Sequence, residues 1–126
     1  MTDSTLKDIA EQLVKNCREG TSTEARDDYY AADAVSVEAM EMTGTDSRDA
    51  VGLDAIKGKH DWWNNMMELH SANVDGPYLH GDDRFGVIFE FDATDKSSGE
   101  RSQMKELGVY TVKDSKIVRE EFFYTM

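Results

Sequence analysis

Apolar positions at the start of the chain recur every three or four residues: Leu6, Ile9, Ala10, Leu13, Val14 and Cys17. On a helix that spacing gathers them on one stripe, and Gly20 ends it. Thr5 with Asp8 forms a short capping box, in which side chains satisfy the open N–H groups of the first turn. Thr21 with Glu24 repeats the signal and predicts a short second helix through Tyr29 and Tyr30. From Ala34 to Met42 the period falls to two. Val35, Val37 and Ala39 take one face of a strand, and Ser36, Glu38, Met40 and Met42 take the other.

Thr43 to Gly52 reads as a polar loop. A third helix, expected to be the longest, follows from about Leu53 to Leu69, with Ile56, His60, Trp63 and Met67 on one stripe. Everything after it has the period of strands. Ser71–His80 and Arg84–Asp95 are separated by the turn residues Gly81-Asp82-Asp83. Phe85, Val87, Phe89 and Phe91 alternate with Gly86, Ile88, Glu90 and Asp92. Asp95–Glu100 turns the chain into Arg101–Lys113, and Asp114-Ser115 makes a tight hairpin into Lys116–Tyr124. Gly86 and Gly108 inside strands predict bulges or bends, and Pro77 predicts an edge or a bulge because it cannot donate to a ladder.

Helices first and strands last, with one strand between, argue for an α+β fold. The expected architecture is a cone: a strongly curved antiparallel sheet with three helices packed on its concave side and a pocket open at one end. The chain has 126 residues, which fits one domain, 1–126.

Charge narrows the partners. Asp and Glu number 26 against 14 Lys and Arg, a formal net charge of −12. Such a surface repels phosphate backbones, so neither nucleic acid nor an anionic membrane is an expected partner. Cys17 is the single cysteine, which excludes an internal disulfide and a thiolate metal cluster. Met1 leads into Thr-Asp-Ser rather than a basic and apolar leader, and no apolar run reaches membrane-spanning length; a cytoplasmic location is expected. His60, His70 and His80 share no helical face, so no metal is expected. Phosphate loops, dinucleotide fingerprints and nucleophile elbows are lacking, and no cofactor is expected.

Three segments resemble the nuclear transport factor 2-like superfamily, and within it the SnoaL-like branch related to polyketide cyclases and ketosteroid isomerase. They are YAADAVSVEA (Tyr30–Ala39), GLDAIKGKHDWW (Gly52–Trp63) and KDSKIVREEFFY (Lys113–Tyr124). The resemblance implies a cystatin-like cone. In ketosteroid isomerase a carboxylate takes a proton next to a carbonyl, and a tyrosine and a protonated aspartic acid hold the oxyanion. Carried over, the resemblance puts Glu38 at the base position, Leu13 at the tyrosine position and Leu107 at the acid position. Two aliphatic residues donate no hydrogen bonds, so steroid isomerisation by that arrangement is not expected.

The candidate chemistry follows from these placements. Glu38, if it lies inside the cone, is a desolvated general base; on the rim it is a solvated or ion-paired carboxylate. His60 is either a proton shuttle beside the pocket or a structural histidine. Tyr124 is the other polar candidate near the base. Met40, Trp63 and Phe122 are expected as pocket walls, with Trp62 and Trp63 pointing about 100° apart on their helix. The resemblance places Glu120 on the concave side near Lys105 and Leu107. A Lys105–Glu120 pair there is either structural or an acid and base for a polar substrate. Tyr110, Ile117 and Phe123 are expected on the outer face of the sheet, where a homodimer would cover them. The expected ligand is a hydrophobic or mixed-polarity small molecule. The protein is then a cofactor-independent isomerase, cyclase or lyase, or a non-catalytic ligand-binding or protein-interaction domain of the same fold.

Overall fold

Helix α1 (Leu6–Glu19) opens at the expected capping box. The Asp8 N–H donates to Thr5 Oγ1 at 3.1 Å, and the Thr5 N–H donates to the Asp8 carboxylate at 3.4 Å. Gly20 closes the helix at φ 75°, a left-handed conformation that glycine adopts without penalty. This computed structural model describes residues 5–20, 22–40 and 47–125. The cap expected at Thr21 and the strand position expected for Met42 lie outside the described residues.

After α2 (Ser22–Tyr29) come β1 (Tyr30–Val37), β2 (Asp49–Val51), α3 (Leu53–Met66), β3 (Met67–His80), β4 (Arg84–Asp95), β5 (Arg101–Lys113) and β6 (Lys116–Phe123). The six strands form one curved sheet in the order β2-β1-β6-β5-β4-β3. Its pairs are antiparallel except one: β1 runs parallel to β6, with Ser36 beside Glu120. The fully antiparallel expectation is corrected there, because the last strand returns alongside the first instead of making a hairpin with it.

Two boundaries also differ from expectation. Strand β2 lies inside the segment read as loop, held by Val35–Val51 and Val37–Asp49 pairing that no local pattern announces. Helix α3 stops at Met66, making it 14 residues long, the same as α1 and not longer. Met67 and Leu69 continue the helical stripe in sequence, but they pair with Asp95 and Ala93 of β4, and the ladder decides.

The concave side is filled by α1. Ile9, Leu13 and Val14 join Val74, Phe85, Val87 and Phe89 in one buried cluster. Each large side chain so buried contributes about 1.5–3 kcal/mol. Pro77 lies on the edge strand at a bulge between Asp75 and Tyr78, as its missing N–H requires. Gly86 and Gly108 sit in unbroken β4–β5 register, while on the other side Gly86 pairs with Tyr78 where the bulge of β3 ends. Gly108 instead makes room for rings: a Cβ there would come within 3.1 Å of Phe89 and 3.2 Å of both Phe122 and Tyr110.

A bulge between Thr111 and Val112 changes the phase of β5 against β6. Ile117 and Glu120 are therefore both buried, three residues apart. Tyr110 is buried as well, stacked on Phe85 with centroids 4.9 Å apart. Of the three residues expected on the outer face, only Phe123 is there, 50% exposed.

Candidate functional site

Strand β1 ends at Val37, and the Glu38 N–H donates to the Arg48 carbonyl at 2.9 Å, which fixes the backbone where the side chain turns inward. Both carboxylate oxygens of Glu38 are engaged. Lys59 Nζ donates to Oε2 at 2.5 Å, and the Tyr124 hydroxyl donates to Oε1 at 2.9 Å. Lys59 also donates to the buried Ser36 hydroxyl and stands 5.0 Å from the centroid of the Phe122 ring. It follows the buried Ile56 by three residues on α3, so the helix aims it at the sheet. The side chains of Lys59 and Glu38 are only 15% and 18% exposed. In such a partly desolvated pair, removing one partner leaves a costly lone charge.

Glu106 faces the same region from β5, opposite Phe89. Burial, and then the charge of Glu38, push its carboxyl up to about 7, with Lys59 opposing and Glu120 adding a little. A carboxyl of this kind is partly protonated at neutral pH and can donate a hydrogen bond. Burial, and next the Glu38 charge, drive the Tyr124 hydroxyl well up, so it stays a donor. A cleft of about 600 Å³ opens beside this group, lined by Val37, Glu38, Phe122 and Tyr124 and, toward the outer face, by Lys105, Glu121 and Phe123; Lys59 stands behind Glu38 and does not line it.

Deeper in the cone stands a second polar group. Glu120 is fully buried, between Ser36 of β1 and Tyr110 of β5. Its Oε2 accepts the Tyr30 hydroxyl at 2.5 Å, while Oε1 lies 3.6 Å from His60 Nε2 and has no hydrogen bond. Arg26 Nη1 is 3.3 Å from the other ring nitrogen of His60. Burial alone would raise the Glu120 carboxyl, but His60, Tyr30 and Lys59 together hold it below the usual range. Burial, and then Glu120, push the Tyr30 and Tyr110 hydroxyls far up.

Two carboxylates thus stand at different depths of one cone, Glu38 held by Lys59 and Tyr124 and Glu120 by Tyr30, and sequence comparison sets the lineage. The chain matches the model of the SnoaL-like domain over residues 4–124. It belongs to the SnoaL-like domain family. A Mesorhizobium loti structure described provisionally as a SnoaL-like polyketide cyclase is 39% identical, with a TM-score of 0.89 over 96% of this chain and 100% of that one. A Mycobacterium tuberculosis protein solved with estradiol-17β-hemisuccinate is 16% identical, with a TM-score of 0.74 over 98% and 96%. A Catenulispora acidiphila protein with a ketosteroid isomerase-like fold, solved with trimethylamine, is 17% identical, with a TM-score of 0.71 over 98% and 88%. The last two share the fold. No curated protein matches the chain.

Within this SnoaL-like cone the candidates separate. Glu38, Tyr124 and Phe122 come together, and Phe122 packs edge-on against Tyr110 at 6.3 Å. His60 goes to the inner group with Glu120. Of the paired tryptophans, Trp63 turns inward onto Phe91, 5.5 Å between centroids, and Trp62 is 50% exposed. Met40 is half-buried beyond the end of β1. Lys105 is not on the concave side and makes no pair with Glu120. It is exposed on the outer face opposite Glu90, and only borders the mouth of the cleft. Leu107 is likewise outward, 38% exposed, because Glu106, Gly108 and Tyr110 are the inward residues of β5. His70 bonds Thr94 at 2.7 Å on the surface, and His80 pairs with Arg84 at a strand tip. Among the described residues, no three His, Cys, Asp or Glu side chains group as metal ligands.

Sequence reading missed Lys59, Glu106, Arg26 and the part played by Tyr30. Lys59 had a signal in its spacing from Ile56. Glu106 had one in sharing strand parity with Gly108 and Tyr110.

Proposed function

We propose that this SnoaL-like domain binds a small molecule of mixed polarity at the Glu38 cleft and transfers a proton beside its carbonyl group. The reaction class is isomerase, cyclase or lyase, and none of its steps calls for a cofactor. The observation that carries the reading is the double anchorage of Glu38 by Lys59 and Tyr124 on the cleft wall. Anchored in this way, the carboxylate is oriented before substrate arrives, which removes part of the entropic barrier to reaction. Glu38 accepts the carbon-bound proton, and the electron pair moves to the carbonyl oxygen. That oxyanion needs donors, which the aliphatic Leu13 and Leu107 cannot provide. Lys59 of α3, with three N–H groups, and the protonated form of Glu106 of β5 are the donors near Glu38, the single O–H of Tyr124 being given to Glu38 itself. The proton then returns to another carbon, or a leaving group departs.

A second reading keeps the pocket and drops the turnover. It is favoured by the same ion pair, since a carboxylate bonded through both oxygens is a good polar floor for a ligand and a weaker base. The ligands bound by the Mycobacterium tuberculosis and Catenulispora acidiphila neighbours are consistent with small-molecule binding in either case.

The experiment is proton exchange in D2O, followed by NMR over a panel of simple ketones, β-diketones and unsaturated ketones. Wild-type protein should place deuterium next to the carbonyl of at least one compound, and Glu38→Gln should slow this about a hundredfold or more. Binding of the same compound with no exchange in wild type selects the second reading.

The outer face of the sheet carries Ile88, Leu107 and Phe123 in register across β4, β5 and β6. On the proposed reading a second copy covers this stripe about a two-fold axis, forming a homodimer.

A further inference from the structure

We propose that Arg26 is a positioning residue that holds His60 as the neutral tautomer with its proton on Nε2, aimed at the open oxygen of Glu120. The argument is one of donors and acceptors. A guanidinium carries only N–H groups and accepts nothing. Arg26 Nη1 stands 3.3 Å from His60 Nδ1, with the Arg26 side chain almost fully buried. At that distance Nδ1 must present its lone pair, because a proton on it would face the N–H of Arg26 with no acceptor between them. The single ring proton is then on Nε2. That nitrogen faces Glu120 Oε1 at 3.6 Å, the one buried side-chain oxygen or nitrogen among the described residues that lacks a hydrogen bond.

The result is a directed chain, Arg26 to His60 to Glu120, with Tyr30 donating from the other side. Asp27 keeps Arg26 in place by accepting from its Nε at 3.2 Å. The charged and titratable groups around this chain are Arg26 and Asp27 from α2, Tyr30 from β1, Lys57 (3.9 Å from Asp27 Oδ1) and Lys59 from α3, and Glu120 from β6. Cys17 and Tyr110 stand near the far side of Glu120 and feel its charge. A gap of 3.6 Å is longer than a hydrogen bond, and a shift of a few tenths of an ångström in α3 closes it. The inner carboxylate thus has a donor poised but not engaged. Its use in proton handling rests on the acid–base reading of the cone, whereas the tautomer itself does not.

The test is nitrogen NMR of the histidine rings in the full-length protein, with His60→Asn identifying the His60 signals. In wild type at about pH 8, where a histidine ring is ordinarily neutral, Nδ1 should resonate as an unprotonated nitrogen and Nε2 as a protonated one. In Arg26→Met at the same pH the Nδ1 signal should move toward the protonated range, since no donor then claims its lone pair. Arg26→Lys should keep Nδ1 unprotonated, because an ammonium is also a donor without an acceptor. A wild-type His60 protonated on both nitrogens, or on Nδ1 alone, overturns the proposal, and that outcome is readable even if Arg26→Met does not fold. A folded Arg26→Met with the wild-type spectrum overturns it as well. None of these outcomes depends on Glu38, so failure here and failure of the proton-transfer reading remain separate.

Discussion

Lys59 and Glu38, 21 residues apart in sequence, meet at 2.5 Å between helix α3 and the end of strand β1. The contact ties the helix to the sheet where the cleft opens. It also gives Glu38 a cation that a lone base would lack. Lys59→Met keeps the aliphatic stem and removes the charge, leaving Glu38 with Tyr124 alone. The expected outcome is a loss of exchange activity of about a hundredfold, reflecting a missing oxyanion donor, and a loss of stability of about 1–3 kcal/mol from the unpaired carboxylate. Parallel exchange assays and denaturant titrations check both. Unchanged exchange would remove Lys59 from the chemistry.

Glu106 sets a pH dependence with a definite sign. Its folded carboxyl is raised from an ordinary 4.5 to about 7, mainly by burial. The folded state therefore holds a proton that the unfolded chain has already released, and stability from this group falls as pH rises between these two values. Glu120 acts the other way, its carboxyl held below the usual range, so its contribution is lost only under more acidic conditions. Glu106→Gln should flatten the fall, with wild type and variant diverging by at most about 3 kcal/mol across the window. Denaturant midpoints measured at half-unit pH steps decide it; parallel curves would show that Glu106 is not buried as a neutral acid.

How far the sequence announced this molecule depends on the range of each signal. The α1 cap, its glycine stop and the Asp114-Ser115 turn are local, and they were legible. Both turn residues adopt positive φ, 52° and 63°, as a two-residue hairpin demands. Strand β2 and the end of α3 are set by partners elsewhere in the chain, and pattern alone misplaced them. For the candidate site, the resemblance put Glu38 at the base position and Phe122 and Tyr124 on the concave side, and the structure brings these three together. The error on β5 was a shift of one residue, which flips every side chain. It exchanged Glu106 for Lys105 and Leu107, and with it an inner acid for an outer cation and an outer leucine.

Gly108 allows three aromatic rings to meet beneath the cleft. A methyl group there would come within 3.1 Å of Phe89 and 3.2 Å of Phe122 and Tyr110, so the three rings would have to give by a few tenths of an ångström. Gly108→Ala should cost about 1–3 kcal/mol by overpacking. Because Phe122 lies against Lys59, the displacement should also reach the site. Thermal unfolding measures the first effect, and the exchange assay the second. A variant as stable as wild type would mean that the rings shift freely.

The outer face offers the last test. Leu107 and Phe123 pair directly across β5 and β6, and Ile88 extends their stripe onto β4. At 38% and 50% exposure, the first two leave more apolar surface in water than an isolated sheet face usually does. Covering such a stripe with its own copy satisfies a two-fold axis, since identical residues meet across it. Phe123→Lys would put like charges face to face at the centre of that contact. Light scattering at about 10 μM should give the mass of two chains for wild type and of one for the variant, a protein in this range being dimeric if the dissociation constant is near 1 μM or below. The variant should keep its fold, because the Phe123 side chain points away from the core that Phe122 and Ile117 help to build. A wild-type monomer at that concentration would leave the stripe without the proposed partner.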